Sequence, residues 1–224
     1  MLQVHQTAFD REFEGILTDV QTMAQEVEQA IERSMEALYE NNTDLAHKII
    51  AEDAKINKLR YDVESECLAL IATQQPTAGD LRAVIAAMHI VVELERIGDH
   101  VKGIAKTVIM MEEEPLLKTF KKIRKMGDLS HEMLRGVIDA FVERDAEKAR
   151  TIAMRDPEMD DLYHVVFEKL VKVMAHKPEL VTRATYLMWC SHNLERIADR
   201  VTNIAERVIF MATGTFGDLD NALA

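Results

Sequence analysis

The 224-residue chain has few of the residues that interrupt helices, cross-link a protein or anchor it in a membrane. Its 8 glycines and 4 prolines are too few for a fold rich in tight turns, which favours long helices. Its 2 cysteines, Cys67 and Cys190, form no metal or disulfide pattern and are expected to be buried thiols. The single tryptophan, Trp189, is expected in the core. The longest apolar stretch, residues 83–92, is interrupted by His89 and is too short to span a bilayer.

Positive charge is also scarce. The chain has 27 lysines and arginines against 39 aspartates and glutamates, which gives a formal net charge of −12. Binding to nucleic acid or to anionic lipid needs clustered basic residues, so neither is expected. A surface this acidic suits metal cations or basic patches on partner proteins instead. Because the N-terminal residues lack a secretion signal and the cysteines lack a disulfide pattern, we expect a cytoplasmic protein.

One stretch of 18 residues occurs twice, 100 residues apart. The first copy, residues 94–111, reads LERIGDHVKGIAKTVIMM, and the second, residues 194–211, reads LERIADRVTNIAERVIFM. Eleven of the 18 positions are identical. Such a density of identities at one fixed offset indicates an internal duplication, so the two halves are expected to share one plan.

Each copy predicts a helix with one apolar face. In the first copy the apolar positions are spaced by three and four, as on the core face of a helical bundle: Leu94, Ile97, Val101, Ile104, Val108 and Met111. Two further helical segments precede each copy. The sequence therefore predicts an all-α fold of six long helices in two tandem three-helix bundles, residues 1–113 and 114–224, with the boundary at Glu112–Pro115.

The ends of these helices carry recognisable capping residues. Asn42 or Thr43 can cap the second helix, and Asp145 can cap the fifth, which is expected to run to about residue 175. Thr77 and Asp80 resemble a capping box at the start of the third helix. Pro178 suits the first position of the sixth helix.

Four pairs of oxygen-bearing side chains are spaced by four residues, so the members of each pair share a helix face. The pairs are Asp53 with Asn57, Glu95 with Asp99, Asp156 with Asp160, and Glu195 with Asp199. If the two pairs of each half face each other on antiparallel helices, three or four carboxylates converge. Oxygen clusters of this kind bind divalent or ferric ions such as Fe, Mn, Mg or Zn. The alternative is that Arg96, Arg196 and Lys102 neutralise the acids in salt bridges without metal.

The sequence contains no sign of catalysis. It has no phosphate-binding glycine-rich loop, no Gly-x-Ser-x-Gly and no cysteine–histidine constellation. Glu-x-x-His, the motif of ferritin-like di-iron proteins, is also missing. We therefore predict that the protein is not an enzyme. A metal-dependent enzyme or a metal store built on the carboxylate clusters is the alternative.

Three runs of sequence together resemble the PhoU family of bacterial phosphate-signalling regulators. They are QQPTAGDLRAV from Gln74, ELERIGD from Glu93 and LERIADR from Leu194. The family fold is two three-helix bundles, and the family's acid-x3-Asp metal motif maps onto the four pairs above. Asn57 departs from that motif, and Glu93 has Asn193 as its counterpart, which weakens both as shared ligands. Arg82, Arg96 and Arg196, which lie in the three runs, are further candidate site residues.

The resemblance also implies a function. It implies a negative regulator of the phosphate-starvation response that has no catalytic activity. Such a protein would couple the ATPase of the high-affinity phosphate ABC transporter to a sensor histidine kinase. A homodimer is expected.

Overall fold

The computed structural model describes residues 7–111 and 120–215, and within these ranges the chain is helical with no strand. The described residues form seven α-helices and one short 3₁₀ turn at Pro178–Leu180. The helices are α1 Ala8–Glu40, α2 Thr43–Gln74, α3 Ala78–Met110, α4 Phe120–Glu143, α5 Ala146–Ala153, α6 Asp156–His176 and α7 Val181–Thr213. The expected all-helical fold is confirmed. The expected boundary at Glu112–Pro115 lies outside the described residues.

Two of the four predicted helix starts are present as expected, whereas Pro178 begins the 3₁₀ turn and α7 itself starts only at Val181. The Asn42 side chain accepts a hydrogen bond from the Leu45 amide, and Asp145 accepts from the amides of Glu147 and Lys148. The predicted capping box at Thr77 is wrong, because the Thr77 side chain makes no capping bond. Ala78 takes a left-handed conformation with a φ of 45°, and the backbone carbonyl of Thr77 accepts from the Asp80 amide instead.

The fifth predicted helix is interrupted. Residues 154 and 155 form a turn that separates α5 from α6, so the expected continuous helix from Asp145 to about residue 175 is wrong. The cause is Pro157, which lacks an amide hydrogen and whose ring would clash with the carbonyl of Ala153 in a continuous helix. Proline is well accommodated in the first turn of α6, where its amide would have no helical partner.

The helices form two three-helix bundles that lie side by side. Helices α1, α2 and α3 make the first bundle, and α4, the α5–α6 pair and α7 make the second. The bundles meet mainly through α3 against α7, with α1 against α4 at the side, and the buried apolar residues of both form one continuous core. The repeated apolar positions of α3 and α7, including Ile104 and Ile204, are all buried as predicted, and so are Cys67 and Cys190.

Helices α3 and α7 cross in antiparallel orientation. Glu93 near the middle of α3 contacts Arg200 and Asn203 on α7, whereas His100 further along α3 contacts Asn193, which lies earlier on α7. The two repeats are therefore related by a pseudo-two-fold axis that passes between these contacts. This arrangement places the repeated acid pairs of α3 and α7 in equivalent positions of the two bundles.

No helix in the described ranges is both long enough and apolar enough to cross a membrane.

Candidate functional site

The first acidic cluster lies between α2 and α3. The two helices approach closely at Gly98, where a Cβ atom would lie 3.3 Å from Cδ1 of Ile56 and 3.7 Å from Oδ1 of Asp53. Asp53 is buried there, and its Oδ2 accepts from Lys102 Nζ at 2.5 Å and from Asn57 Nδ2 at 3.4 Å. Residue 98 thus allows Ile56 to pack closely on α3, and the buried Asp53 beside it is neutralised by a lysine from α3.

The other pair of this cluster, Glu95 and Asp99, is nearer the surface. Oε2 of Glu95 lies 3.3 Å from Nη1 of Arg60 on α2. Burial raises the pKa of Glu95, and the nearby Asp99 carboxylate raises it further, against the lowering effect of Arg60. The four predicted residues are therefore brought to one site, with Lys102 and Arg60 as the cations beside it.

The second acidic cluster lies between α6 and α7. Asp156 and Asp160 lie on α6 and face Glu195 and Asp199 on α7. Arg196 connects the two acids of α7, with Nη1 at 2.8 Å from Oδ2 of Asp199 and Nη2 donating to Oε1 of Glu195 at 2.9 Å. The four acids lie on the two helices that the spacing predicted, and the ion pairs of Arg196 with Glu195 and Asp199 are those of the alternative in which arginine neutralises the acids.

The electrostatics of this cluster are unfavourable without a further cation. Burial raises the pKa of Asp156 to about 6, and Asp160, Asp199 and Glu195 add to the shift. The pKa of Asp160 is also raised, first by burial and then by Asp199. When burial and neighbouring carboxylates raise the pKa of a carboxyl group in this way, an added positive charge stabilises its ionised form.

The second cluster also contains buried polar atoms without hydrogen bonds. Nε of Arg196 lies 2.8 Å from Oε2 of Glu195, yet the geometry does not make a hydrogen bond and both atoms are buried. Oε2 of Glu195 therefore has a charged neighbour without a hydrogen bond, and a carboxylate oxygen beside three other carboxylates is the type of donor that a hard cation takes. Within residues 7–111 and 120–215, however, no three acidic, histidine or cysteine side chains converge closely enough to coordinate one ion. Coordination at either cluster therefore requires the side chains to rearrange.

The remaining predicted site residues lie elsewhere. Arg96 makes its hydrogen bond outside the acid pair, with Nη1 donating to Oε1 of Glu93 at 2.6 Å, and its charge also acts on the neighbouring Glu95. Arg82 lies at the end of α7, where its Cζ would be 3.4 Å from a Cβ on Gly214, the left-handed residue that ends that helix. A guanidinium at this position complements the negative end of the helix dipole. Of the three arginines, Arg196 forms ion pairs within an acidic cluster, Arg96 pairs with Glu93, and Arg82 lies beside the end of α7.

Sequence reasoning undervalued Glu93. This buried carboxylate on α3 accepts from Arg96 on its own helix and, across the bundle interface, from Arg200 at 3.4 Å and Asn203 at 3.3 Å. The signal was present in the repeat, since residues 93 and 193 differ and so do residues 100 and 200. Two differences that face each other across an interface indicate a contact pair that changed together.

The expectation that Trp189 is buried is wrong. Its side chain is 48% exposed on the outer face of α7, beside Tyr186. The apolar stripe of α7 runs through Leu187, Cys190 and Leu194, which are all buried, and residue 189 lies off that stripe. The periodicity of α7 therefore predicts an exposed Trp189. The expectation of burial came only from the large apolar side chain of tryptophan.

An open cleft of about 490 Å³ lies between α1 and α4 and contains none of the predicted site residues. Met35, Tyr39, Arg124 and His131 are among the side chains that line it. Nε2 of His131 lies 3.2 Å from Oε1 of Glu32 and 3.6 Å from Oε2 of Glu28, so polar contacts join α4 to α1 at the cleft. Its carboxylates are separate from both acidic clusters.

Comparison with known proteins gives one consistent result. The family model described as "PhoU domain" matches the chain twice, at residues 20–108 and 123–208. A curated relative from Zymomonas mobilis is 38% identical over 207 residues, which cover 92% of this chain and 87% of the relative. One from Rhizobium meliloti is 34% identical over 209 residues, covering 93% and 88%. Both are named phosphate-specific transport system accessory protein PhoU homolog.

Solved structures agree with the sequence matches. The crystal structure of the phosphate transport system regulatory protein PhoU from Streptococcus pneumoniae superposes with a TM-score of 0.88 at 32% identity, over 94% of this chain and 99% of that one. PhoU from Pseudomonas aeruginosa gives the same TM-score and identity over 92% and 100%. Both repeats, nearly the whole length and the fold are thus shared, and the chain belongs to the PhoU family.

Proposed function

We propose that the protein is an accessory and regulatory component of a phosphate transport system, and specifically a negative regulator of the phosphate-starvation response. In this proposal it couples the ATPase of the high-affinity phosphate ABC transporter to a sensor histidine kinase. The observation that carries the proposal is the match to named phosphate transport accessory proteins over more than nine-tenths of the chain.

The physical character of the molecule supports an adaptor that works by binding. Its long helices present extended faces to partner proteins, which is the kind of surface that helical recognition uses. Its chemistry-bearing residues are carboxylates and arginines in charge pairs, which suits binding without covalent catalysis. We place the protein in the cytoplasm as a homodimer, where it can reach the ATPase and the kinase domain on the inner face of the membrane.

The test is a deletion of the gene in its own bacterium. A reporter for a phosphate-starvation gene should be switched on in phosphate-rich medium, and a plasmid copy of the wild-type gene should restore repression. A plasmid copy encoding Ile104→Asp, which places a charge in the core, is the control for expression without a folded product. Normal repression in the deletion strain contradicts the regulatory proposal.

The same proposal includes metal binding at the two acidic clusters, by Fe, Mn, Mg or Zn. Carboxylate oxygens would hold the ion, and the ion would supply the positive charge that the clusters lack. The four carboxylates of the second cluster, against three in the first, and the raised pKa of Asp156 support the second cluster as the stronger site. The first is expected to be weaker, since Lys102 already neutralises Asp53 and Asn57 contributes an amide.

Calorimetric titration with Mn²⁺ and with Fe²⁺ tests metal binding at the two acidic clusters. The wild-type protein is compared with Glu95→Gln/Asp99→Asn and with Glu195→Gln/Asp199→Asn. Each double variant should lose one class of site and keep the other, so the two variants serve as controls for each other. Equal binding in all three proteins contradicts metal binding at these clusters.

A further inference from the structure

Helix α2 carries a second set of regularly spaced residues on the side that faces away from the fold. Its inner side packs on α1 and α3. On the outer side, spacings of four and three residues connect six exposed positions: Ala54, Lys58, Tyr61, Ser65, Leu68 and Ala72. Residues with this spacing lie along one face of a helix, so the six positions form one continuous exposed surface. We call this surface the outer stripe of α2.

The outer stripe is unusually apolar for a surface that meets solvent. Tyr61 is 63% exposed and Leu68 is 58% exposed, the highest values among the large hydrophobic residues that the structure describes. Lys58 is the only charged residue of the six. Because apolar residues lie on both sides of α2, its apolar and polar faces are less separated than those of any other described α-helix. A helix that is apolar on two sides is typical of one that is covered on both.

The equivalent face of the second bundle is charged. The acid pairs of α2 and α6 are 103 residues apart, and by this offset Tyr61 corresponds to His164. Ser65 corresponds to Glu168. Nε2 of His164 lies 3.4 Å from Oε1 of Glu168, so these two residues form a polar pair on the surface of α6. The bundle therefore does not require an uncharged face at these positions, and the outer stripe has another cause.

We infer that two copies of this chain associate through the outer stripe, with α2 of one copy antiparallel to α2 of the other. This inference rests on the homodimer of the proposed function and names its surface. The stripe has the same pattern in both directions, because its spacings are four, three, four, three and four residues. A reversed second copy centred on residue 63 therefore places stripe positions opposite stripe positions, as in a two-fold symmetric helix pair.

The side chains of the stripe are complementary in size in this arrangement. Tyr61 lies opposite Ser65 of the partner subunit, so each phenol ring covers a small residue. Ala54 lies opposite Ala72 of the partner subunit, and alanine at both ends lets the two helices approach closely. Tyrosine is also one of the side chains that contribute most to protein interfaces, because it buries a large area at low entropic cost.

Charge complementarity also favours a second copy. Glu66 lies beside the stripe, where burial raises its pKa and the carboxylates of Asp19 and Asp62 raise it further. Lys58 forms an exposed ion pair with Asp62 on its own helix, and such a pair contributes little. In the reversed copy, Lys58 of the partner subunit lies within two residues, about 3 Å of helix, of the level of Glu66. The two copies therefore exchange two lysine–glutamate pairs.

The net charge of −12 on each copy does not exclude this contact, because salt screens exposed charges beyond about 8 Å at physiological ionic strength. The stripe itself contains no carboxylate. The contact extends over residues 54–72, which is about 27 Å of helix. One helix pair of this length buries less than a standard interface of about 1,600 Å², so we expect a dimer that dissociates on dilution.

Sedimentation equilibrium over a series of protein concentrations tests the surface. Leu68→Glu places a charge in the outer stripe, and the matched control is Val171→Glu at the equivalent position of α6, where the side chain is 43% exposed. Both variants add the same charge at an exposed apolar residue, and circular dichroism and thermal melting establish that each is folded. The wild type and Val171→Glu should dimerise with the same Kd, and Leu68→Glu should dimerise at least about tenfold more weakly.

A second stripe variant keeps the test valid if Leu68→Glu does not fold. Ser65→Glu introduces the residue that α6 already has at the equivalent position, so it is compatible with the helix pairing of the bundle. It should weaken the dimer in the same way, because its carboxylate would lie under the Tyr61 ring of the partner subunit.

Disulfide formation tests the antiparallel arrangement. Ala54→Cys and Ala72→Cys are prepared as separate proteins, and the native Cys67 and Cys190 are fully buried. Under mild oxidation a mixture of the two variants should form a mixed disulfide, because the two positions lie opposite each other. Neither variant alone should form one, since its two new cysteines would be about 27 Å apart along the helix pair.

The other outcomes are distinguishable. If the wild type and all the folded glutamate variants dimerise equally, the outer stripe is overturned while the homodimer stands. If the wild type is a monomer at every concentration, the homodimer fails and the inference fails with it, whereas the deletion strain decides the regulatory role separately. If a cysteine variant cross-links with itself and the mixture forms no mixed disulfide, the antiparallel arrangement is overturned.

Discussion

Oε2 of Glu93 on α3 lies 3.4 Å from Nη1 of Arg200 on α7. The internal duplication contains a second, equivalent contact that is made by other residue types. By the 100-residue offset, the equivalent pair in the other direction is Asn193 with His100, whose Oδ1 and Nδ1 lie 3.1 Å apart. The duplication thus preserved the position of the interface contact and changed its charge. One side of the pseudo-two-fold axis is an ion pair, and the other is a pair of polar groups.

Removing the ion pair should destabilise the protein more than removing its counterpart. In Glu93→Ala the Arg200 guanidinium loses its carboxylate at a largely buried interface, so the free energy of unfolding should fall by about 2 kcal/mol. Asn193→Ala should cost only about 1 kcal/mol, because the pair it breaks carries no formal charge when His100 is neutral. Urea denaturation of both variants measures the difference. Equal losses would show that the charge of this contact adds nothing to the interface.

The repeated apolar stripe gives a second prediction. Ile104 and Ile204 are both 0% exposed at equivalent positions of α3 and α7. Ile104→Asp and Ile204→Asp each bury an unpaired carboxylate, which costs several kcal/mol, about 4 or more, and should leave the protein unfolded or molten at room temperature. Lys106→Asp places the same residue on the exposed side of α3 and should cost about 0.5 kcal/mol. Wild-type thermal stability in either isoleucine variant would contradict the burial of this stripe.

Sequence periodicity predicted the helices of this fold and missed one local interruption. The spacing of three and four between apolar residues is set by the helix itself, so the core faces of α3 and α7 could be identified directly. Pro157 lies within a segment whose apolar spacing continues on both sides. The continuous spacing predicted one helix, although the proline interrupts it. At Thr77 the side chains matched a capping box, but the left-handed backbone at Ala78 cannot be derived from residue types alone.

The candidate site was predicted less completely than the fold. Spacing of four residues showed that Glu195 and Asp199 share a face, and the repeat indicated that α6 supplies the other acids. What spacing cannot show is which cation each carboxylate contacts. Lys102 pairs with Asp53 on the neighbouring helix, whereas Arg96 pairs with Glu93 and not with an acid of the pair beside it. These choices depend on how far α2, α3 and α7 lie apart, which is a property of packing.

The crowding of the second cluster predicts a specific dependence of stability on pH. Asp156 has a pKa of about 6 in the folded protein, above its ordinary value of 3.8, so folding favours its protonated form. The cost of ionising it is fully present above about pH 6 and disappears as the pH falls through 6 toward 3.8. Asp156→Asn should therefore raise the free energy of unfolding at pH 8 by about 1 kcal/mol, given solvent screening of a partly exposed group.

Denaturant titrations at several pH values measure this effect. The gain from Asp156→Asn should shrink as the pH is lowered and be absent near pH 4. Glu179→Gln removes one negative charge from an exposed residue outside the cluster and is the control for net charge. A gain in the free energy of unfolding that is independent of pH would show that the pKa of the Asp156 carboxyl is not raised in the folded protein.

The last prediction uses Trp189, the only tryptophan of the chain, as a reporter for the negative field of the second acidic cluster. Its half-exposed indole should be quenched readily by neutral acrylamide. Glu195 is six residues further along α7, which is about 9 Å of helix and within about one Debye length at moderate salt. Iodide should therefore quench Trp189 less effectively than caesium ion, since the carboxylates repel the anion and attract the cation.

The neutralised variant Asp160→Asn/Asp199→Asn separates charge from shielding. It leaves Trp189 equally exposed, so acrylamide quenching should be unchanged, whereas iodide quenching should rise toward the caesium value. Added salt should produce the same convergence in the wild type, because it screens the field without changing the exposure of the ring. If iodide and caesium quench the wild-type protein equally at low salt, the field of the second acidic cluster does not reach Trp189.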